Sequence, residues 1–124
     1  MVNMGKKILV VEDDMDIVEV ISMALQKEGY EVYKAYNGIM ALNQLSTKPD
    51  LILLDLMLPE LDGNSVNLRL KENPDTKNIP VIIMTGKGQL KELLDLKEGV
   101  NVSAYLEKPF PIKVLLEKIK QITG

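Results

Sequence analysis

Residues 51–63 read LILLDLMLPELDG, and the fold turns on how this stretch is read. Leu51 to Leu54 are consecutive aliphatics with no polar alternation. Such a run fits a strand covered on both faces, as in a parallel sheet packed between helices. The run ends on a carboxylate, Asp55, and Pro59, Asp62 and Gly63 soon follow. Pro59 and Gly63 set a turn into the next helix, with Asp62 in its N-cap region. A buried strand that ends in an acid before a turn puts a charge at the rim of a sheet.

The same pattern extends in both directions. Upstream, Ile8–Val11 is a short aliphatic run that also ends in acids. Ile17, Val18, Ile21, Ala24 and Leu25 then share one helical face over 14–28, with Gly29 as the stop. Residues 31–36 alternate like a strand, and 39–45 form a short helix broken by Lys48-Pro49-Asp50. Downstream, 64–71 is helical with Val66 and Leu70 inward, and Val81–Met84 is a fourth strand. A fourth helix is expected over 89–97, a fifth strand at 104–106 and a last helix over 111–122. Strands alternating with helices imply an α/β, doubly wound sheet of five parallel strands joined by right-handed crossovers. Ligands of such sheets bind at the carboxyl ends of the strands.

With 124 residues, the chain suits one domain. It has no cysteine, which excludes disulfides and thiolate metal sites. It has no histidine, which excludes Ser-His-Asp and Cys-His catalysis and imidazole ligands. Any bound metal is therefore a hard cation held by oxygens, such as Mg²⁺. Net charge is −3, the bases are dispersed, Arg69 is the only arginine and aromatics are few. That argues against direct nucleic-acid binding. No apolar run is long enough to span a membrane, so a cytoplasmic protein is expected.

Glu12 and Asp13 end strand one, Asp55 ends strand three, Thr85 ends strand four and Lys108 ends strand five. Helix capping explains any one of these residues taken singly, but not five of them gathered at the same edge. Clustered carboxylates repel unless a cation intervenes, and Mg²⁺ is the simplest remedy.

The segments ILVVEDD (8–14), LILLDLMLPELDG (51–63), PVIIMTG (80–86) and YLEKPF (105–110), in this order and spacing, resemble a bacterial response regulator receiver domain. The likeness covers the whole chain and is closest to the stand-alone, chemotaxis-regulator type. It implies a flavodoxin-like sheet of order 2-1-3-4-5 with five helices, and a single receiver domain over 1–124 without an effector domain. It implies that Asp55 accepts a phosphoryl group from a histidine kinase or a histidine phosphotransfer protein. Glu12, Asp13, Asp55 and the backbone carbonyl of Met57 would hold Mg²⁺, or Mn²⁺ in its place. The family more often has Asp-Asp where this chain has Glu12-Asp13, and Asp14 then caps helix one. Thr85 and Lys108 would bind the phosphoryl oxygens, Tyr105 would swing inward on activation, and Lys108–Pro109 would be cis.

By the same likeness, phosphorylation changes the face made by the fourth helix, fifth strand and last helix, and so controls a downstream protein. The protein would be a monomer or a weak phosphorylation-dependent dimer, and not an enzyme beyond self-phosphotransfer and slow autodephosphorylation. The likeness also implies that Met57 and Lys87 would flank the approach of hydrolytic water. Neither offers it a good acceptor, so a long-lived phosphoryl group is expected. The stretch from Gly99 to Tyr105 is longer than is usual for the family. Two other functions fit such a sheet. An aspartyl-phosphate phosphatase wants a second Asp two residues after the nucleophile, where this chain has Met57. A flavin binder wants a hydroxyl- and glycine-rich loop after strand one, where this chain has Glu-Asp-Asp.

Overall fold

The computed structural model describes residues 5–56, 58, 63–86 and 103–124. The helix expected over 89–97, and the expectations for Met57, Asp62 and Lys87, lie outside the described residues.

The strands are β1 (Lys7–Val11), β2 (Glu31–Ala35), β3 (Leu51–Asp55), β4 (Val81–Thr85) and β5 (Ala104–Glu107). They form one parallel sheet of order β2-β1-β3-β4-β5. Four helices are described: α1 (Met15–Lys27), α2 (Gly38–Asn43), α3 (Gly63–Glu72) and the C-terminal α4 (Ile112–Thr123). A 3-10 turn, Gln44–Thr47, continues α2.

The period-2 geometry of the strands divides the core into two layers. Ile8, Val10, Leu51, Leu53, Ile82, Met84 and Leu106 point to one face, where they pack with Val18, Ile21 and Leu25 of α1 and Leu115 and Ile119 of α4. Leu9, Val11, Ile52, Leu54, Val81 and Ile83 point to the other, against Ala41 of α2 and Val66 and Leu70 of α3. Every residue of β3 and β4 is buried, which explains why neither run alternates. The edge strand β2 is only half-buried, and its sequence does alternate.

The first helix illustrates how local chemistry sets the boundaries. Asp14 is extended, and its Oδ1 accepts from the Asp16 and Ile17 amides at 2.9 and 3.3 Å, satisfying two orphan donors of the first turn. At the other end Gly29 takes φ +92°, a conformation that costs glycine little. It allows the Gly29 amide to donate to Gln26 and the Tyr30 amide to donate to Leu25, closing the helix in a Schellman motif. Tyr30 and Leu25 then share the same core layer.

Candidate functional site

Register brings the strand-end residues together. Val11 pairs with Leu54, so Glu12 and Asp55 each come next on adjacent strands. Asp55 pairs with Met84, and Thr85 follows on the next strand. Thr85 pairs with Glu107, the residue before Lys108. The Lys108 amide donates to the Thr85 carbonyl at 2.6 Å, which pins the start of the β5–α4 connection to the end of β4. The Lys108–Pro109 bond is cis, as the resemblance implied.

Glu12, Asp13 and Asp55 each present a carboxylate oxygen within 4.8 Å of the others. Glu12 and Asp55 are buried, while Asp13 is exposed. Lys108 reaches across and ion-pairs with both buried acids, with Glu12 through Oε1 and with Asp55 through Oδ2 at 3.3 Å. The other oxygen of Glu12, Oε2, accepts from the Asp14 amide at 3.2 Å. Lys108 thus pairs with two of the three carboxylates, and among the described residues of the cluster negative charge is in excess.

The electrostatics follow from that imbalance. The Asp13 carboxyl is raised above its ordinary pKa, first by its hydrogen bond with Glu12, then by burial and by the Glu12 charge. Burial pulls the Lys108 ammonium downward, but Glu12 and Asp55 outweigh it, and its pKa stands above the ordinary lysine value. The donor set is all oxygen and anionic, which fits a hard divalent cation. Thr85 adds a second kind of unmet demand. It is fully buried, yet its hydroxyl has no hydrogen-bond partner among the described residues. A buried hydroxyl in that state is costly unless an incoming group satisfies it.

Of the residues singled out in the sequence, Glu12, Asp13, Asp55, Thr85 and Lys108 do converge. Tyr105 does not join them. It pairs with Ile83 and sits half-buried against the layer that carries α2 and α3. Sequence reasoning assigned Glu12 to a metal and Lys108 to a phosphoryl group, and so missed that they bond to each other. Their strands, β1 and β5, are not neighbours in the sheet, and only the length of the lysine arm closes the gap.

Residues 8–120 match the family described as the response regulator receiver domain. The chain is 40% identical over 121 residues to the phosphate regulon transcriptional regulatory protein PhoB of Pseudomonas aeruginosa, covering 95% of this chain and 52% of that protein. It is 38% identical over 120 residues to the DNA-binding dual master transcriptional regulator RpaA of Synechocystis, covering 94% of this chain and 48% of that protein. The chain thus spans about half the length of these curated relatives. Among solved structures, a response regulator signal receiver domain from Bermanella marisrubri superposes with a TM-score of 0.83 at 34% identity, covering 97% of this chain and 99% of that one. The signal receiver domain of a signal transduction histidine kinase from Syntrophus aciditrophicus reaches 0.87 at 32% identity, covering 96% and 90%.

Proposed function

This chain belongs to the response regulator receiver family of two-component systems, and we propose that it is a switch operated by phosphorylation of Asp55. The observation that carries this reading is one juxtaposition. A buried carboxylate at the end of the central strand lies beside two further acids, a lysine ammonium and an unsatisfied buried hydroxyl.

The phosphoryl group comes from a phosphohistidine of a sensor kinase or histidine phosphotransfer protein, since this chain has no histidine. One Asp55 oxygen attacks phosphorus as the donor's P–N bond breaks. The imidazole nitrogen leaves with the bonding electron pair, and Asp55 becomes an acyl phosphate. Phosphoryl transfer asks little covalent work of a protein beyond this, so positioning and charge dominate. Lys108 stands 3.3 Å from Asp55 Oδ2, where an ammonium meets a phosphoryl oxygen. The Thr85 hydroxyl gains the acceptor it lacks. Glu12, Asp13 and Asp55, with the Met57 carbonyl, would hold Mg²⁺ or Mn²⁺, which neutralises charge on the nucleophile and on the transferred group.

The new bonds to Thr85 and Lys108 bias a pre-existing equilibrium, with Tyr105 moving inward and β5 and the helices beside it offering a changed face to a downstream protein. The switch works in the cytoplasm as a monomer or a weak phosphorylation-dependent dimer, without itself binding nucleic acid or membrane. No helix among the described residues is long and apolar enough to cross a membrane. Autodephosphorylation is slow because Met57 and Lys87 neither orient nor activate water. Met57→Asn and Lys87→Glu should each shorten the phosphoryl lifetime, and unchanged decay in both and in the double variant would remove this water-access reading.

The test is a panel of purified, autophosphorylated histidine kinases offered to the protein with Mg²⁺. At least one should pass its phosphoryl group to the wild type and none to Asp55→Asn. Equal transfer to the Asn variant would overturn the assignment.

A further inference from the structure

The amino ends of β3 and β4 lie at the opposite edge of the sheet from Asp55 and Thr85. The two connections that feed these strands enclose, between 45–49 and 73–79, a cavity of about 570 Å³. Small-molecule sites run from about 300 to 1,000 Å³, so the space suits an organic molecule and is far larger than a single ion needs. Much of its lining is apolar. Pro49 is buried, Leu45 and Ile79 are half-buried, and buried Thr76 has its hydroxyl engaged with the Leu70 carbonyl. Its exposed part carries one charge of each sign, Lys48 on the first connection and Asp75 on the second.

Both walls are held by their own hydrogen bonds. The Lys48 amide donates to the Leu45 carbonyl at 3.0 Å, and the Asp75 amide to Asn73 Oδ1 at 2.9 Å. The Ile79 amide donates to the Thr76 carbonyl at 3.0 Å, and the Lys71 ammonium bridges the Lys77 and Ile79 carbonyls of the same loop. What the cavity offers beyond these bonds is apolar surface and two charges. Among the described residues, neither Lys48 nor Asp75 is in an ion pair, so they do not neutralise each other across the cavity. The Lys48 backbone has φ +54°, in the left-handed region that glycine or asparagine occupies more cheaply. A lysine held there keeps a charge beside the cavity at a backbone cost, as strained residues at ligand sites do.

We propose that this cavity binds a small zwitterion with an apolar body, the chemistry of an apolar amino acid or a short apolar peptide. Its carboxylate meets Lys48, its ammonium meets Asp75, and its apolar part covers Leu45, Pro49 and Ile79. Charge complementarity selects this class. A neutral apolar molecule leaves both charges unused, a simple anion is opposed by Asp75, and a simple cation is opposed by Lys48. The site is separate from the acidic rim and does not depend on the phosphorylation reading.

The test is an amide NMR titration of the full chain with L-leucine and with L-leucyl-L-leucine. At least one should give saturable shifts in the amides of 45–49 and 73–79. Tighter binding of leucine assigns the site to free amino acids, and tighter binding of the dipeptide assigns it to peptide ends. Two blocked dipeptides then separate the charges: N-acetyl-L-leucyl-L-leucine lacks the ammonium, and L-leucyl-L-leucinamide lacks the carboxylate. Each should bind about fivefold more weakly than the free dipeptide, the upper end for a solvent-screened ion pair. Lys48→Gln should weaken the free dipeptide by about fivefold and leave the leucinamide form unchanged. Asp75→Asn should weaken the free dipeptide equally and leave the N-acetyl form unchanged. Both side chains are exposed, so neither variant threatens the fold, and an unchanged amide spectrum away from the cavity checks this. No saturable shift with either free probe at millimolar concentration overturns the proposal, as do saturable shifts confined to the carboxyl rim. Blocked forms that bind as tightly as the free dipeptide, or variants that weaken every form alike, overturn it too, because the two charges would then not be its contacts.

Discussion

Two buried threonines sit at opposite ends of β4, and the fold treats them differently. Thr76, in the loop that leads into the strand, donates its hydroxyl to the Leu70 carbonyl at 2.7 Å. Thr85, the last residue of the strand, is buried just as deeply and has no partner among the described residues. The charges follow the same division. At the amino end, the Lys7 amide donates to Asp50 Oδ2 at 2.7 Å and the Lys7 ammonium to the Thr47 carbonyl at 3.2 Å. Lys71 donates there to the carbonyls of Lys77 and Ile79, although burial lowers its pKa. At the carboxyl end, among the described residues, three carboxylates cluster and Lys108 pairs with two of them. Among the described residues, the amino end is closed by its own hydrogen bonds, whereas the carboxyl end gathers carboxylates and a buried hydroxyl without a partner. The difference separates groups that stabilise this sheet from groups held ready at some cost to stability.

The largest effect that sharpens this contrast is that of Mg²⁺. It should stabilise the folded wild type by about 2–3 kcal/mol at a hundredfold excess over its dissociation constant, because it binds the native state alone. Asp13→Ala should abolish most of that gain in urea titrations run with and without Mg²⁺. A gain of equal size in Asp13→Ala would place the cation away from the acidic rim.

Smaller, but more direct, is the fate of the two hydroxyls. Thr76→Val should cost about 1–2 kcal/mol, because it leaves the buried Leu70 carbonyl without its donor. Thr85→Val should change stability by less than about 0.5 kcal/mol or raise it, since no bond is lost and a desolvated hydroxyl is removed. If chemical denaturation gave the two substitutions the same cost, the two ends of the strand would not differ in the way described.

The smallest effect concerns Asp13 without metal. Its carboxyl is raised above the ordinary value, chiefly through Glu12, so the ionised form is disfavoured in the folded protein. A carboxyl raised on folding costs stability above its folded pKa, and that cost disappears as pH falls through the folded pKa towards the unfolded value. Metal-free Asp13→Asn should therefore be slightly more stable than wild type at neutral pH, with the advantage shrinking as the solution is acidified below the carboxylate range. An advantage that grew on acidification would reverse the assigned sign.

Much of this architecture was legible because parallel sheets write themselves plainly. Unbroken aliphatic runs marked β3 and β4, and parallel topology alone required that residues following each strand share one edge. Asp14 read as a cap because it falls just after the acidic pair that the family resemblance assigns to the metal, and it caps α1 as expected. The end of α2 was less legible. One helix was expected to reach Leu45, but α2 closes at Asn43 and a 3-10 turn takes over, with the Thr47 hydroxyl donating to the Gln44 carbonyl at 2.6 Å. A short hydroxyl near a helix end offers the backbone this tighter alternative, and periodicity does not register it. The Glu12–Lys108 pair was illegible for another reason. Strand-end position is a matter of topology, whereas pairing across two intervening strands depends on side-chain reach.

The central claim is that the unmet demand at the carboxyl rim is that of a phosphoryl acceptor at Asp55. Intact-protein mass spectrometry after treatment with phosphoramidate and Mg²⁺ tests it most directly. The wild type should gain a single phosphoryl adduct that hydroxylamine removes, as it does an acyl phosphate, and Asp55→Asn should gain none. A hydroxylamine-resistant adduct, or the same adduct on Asp55→Asn, would contradict it.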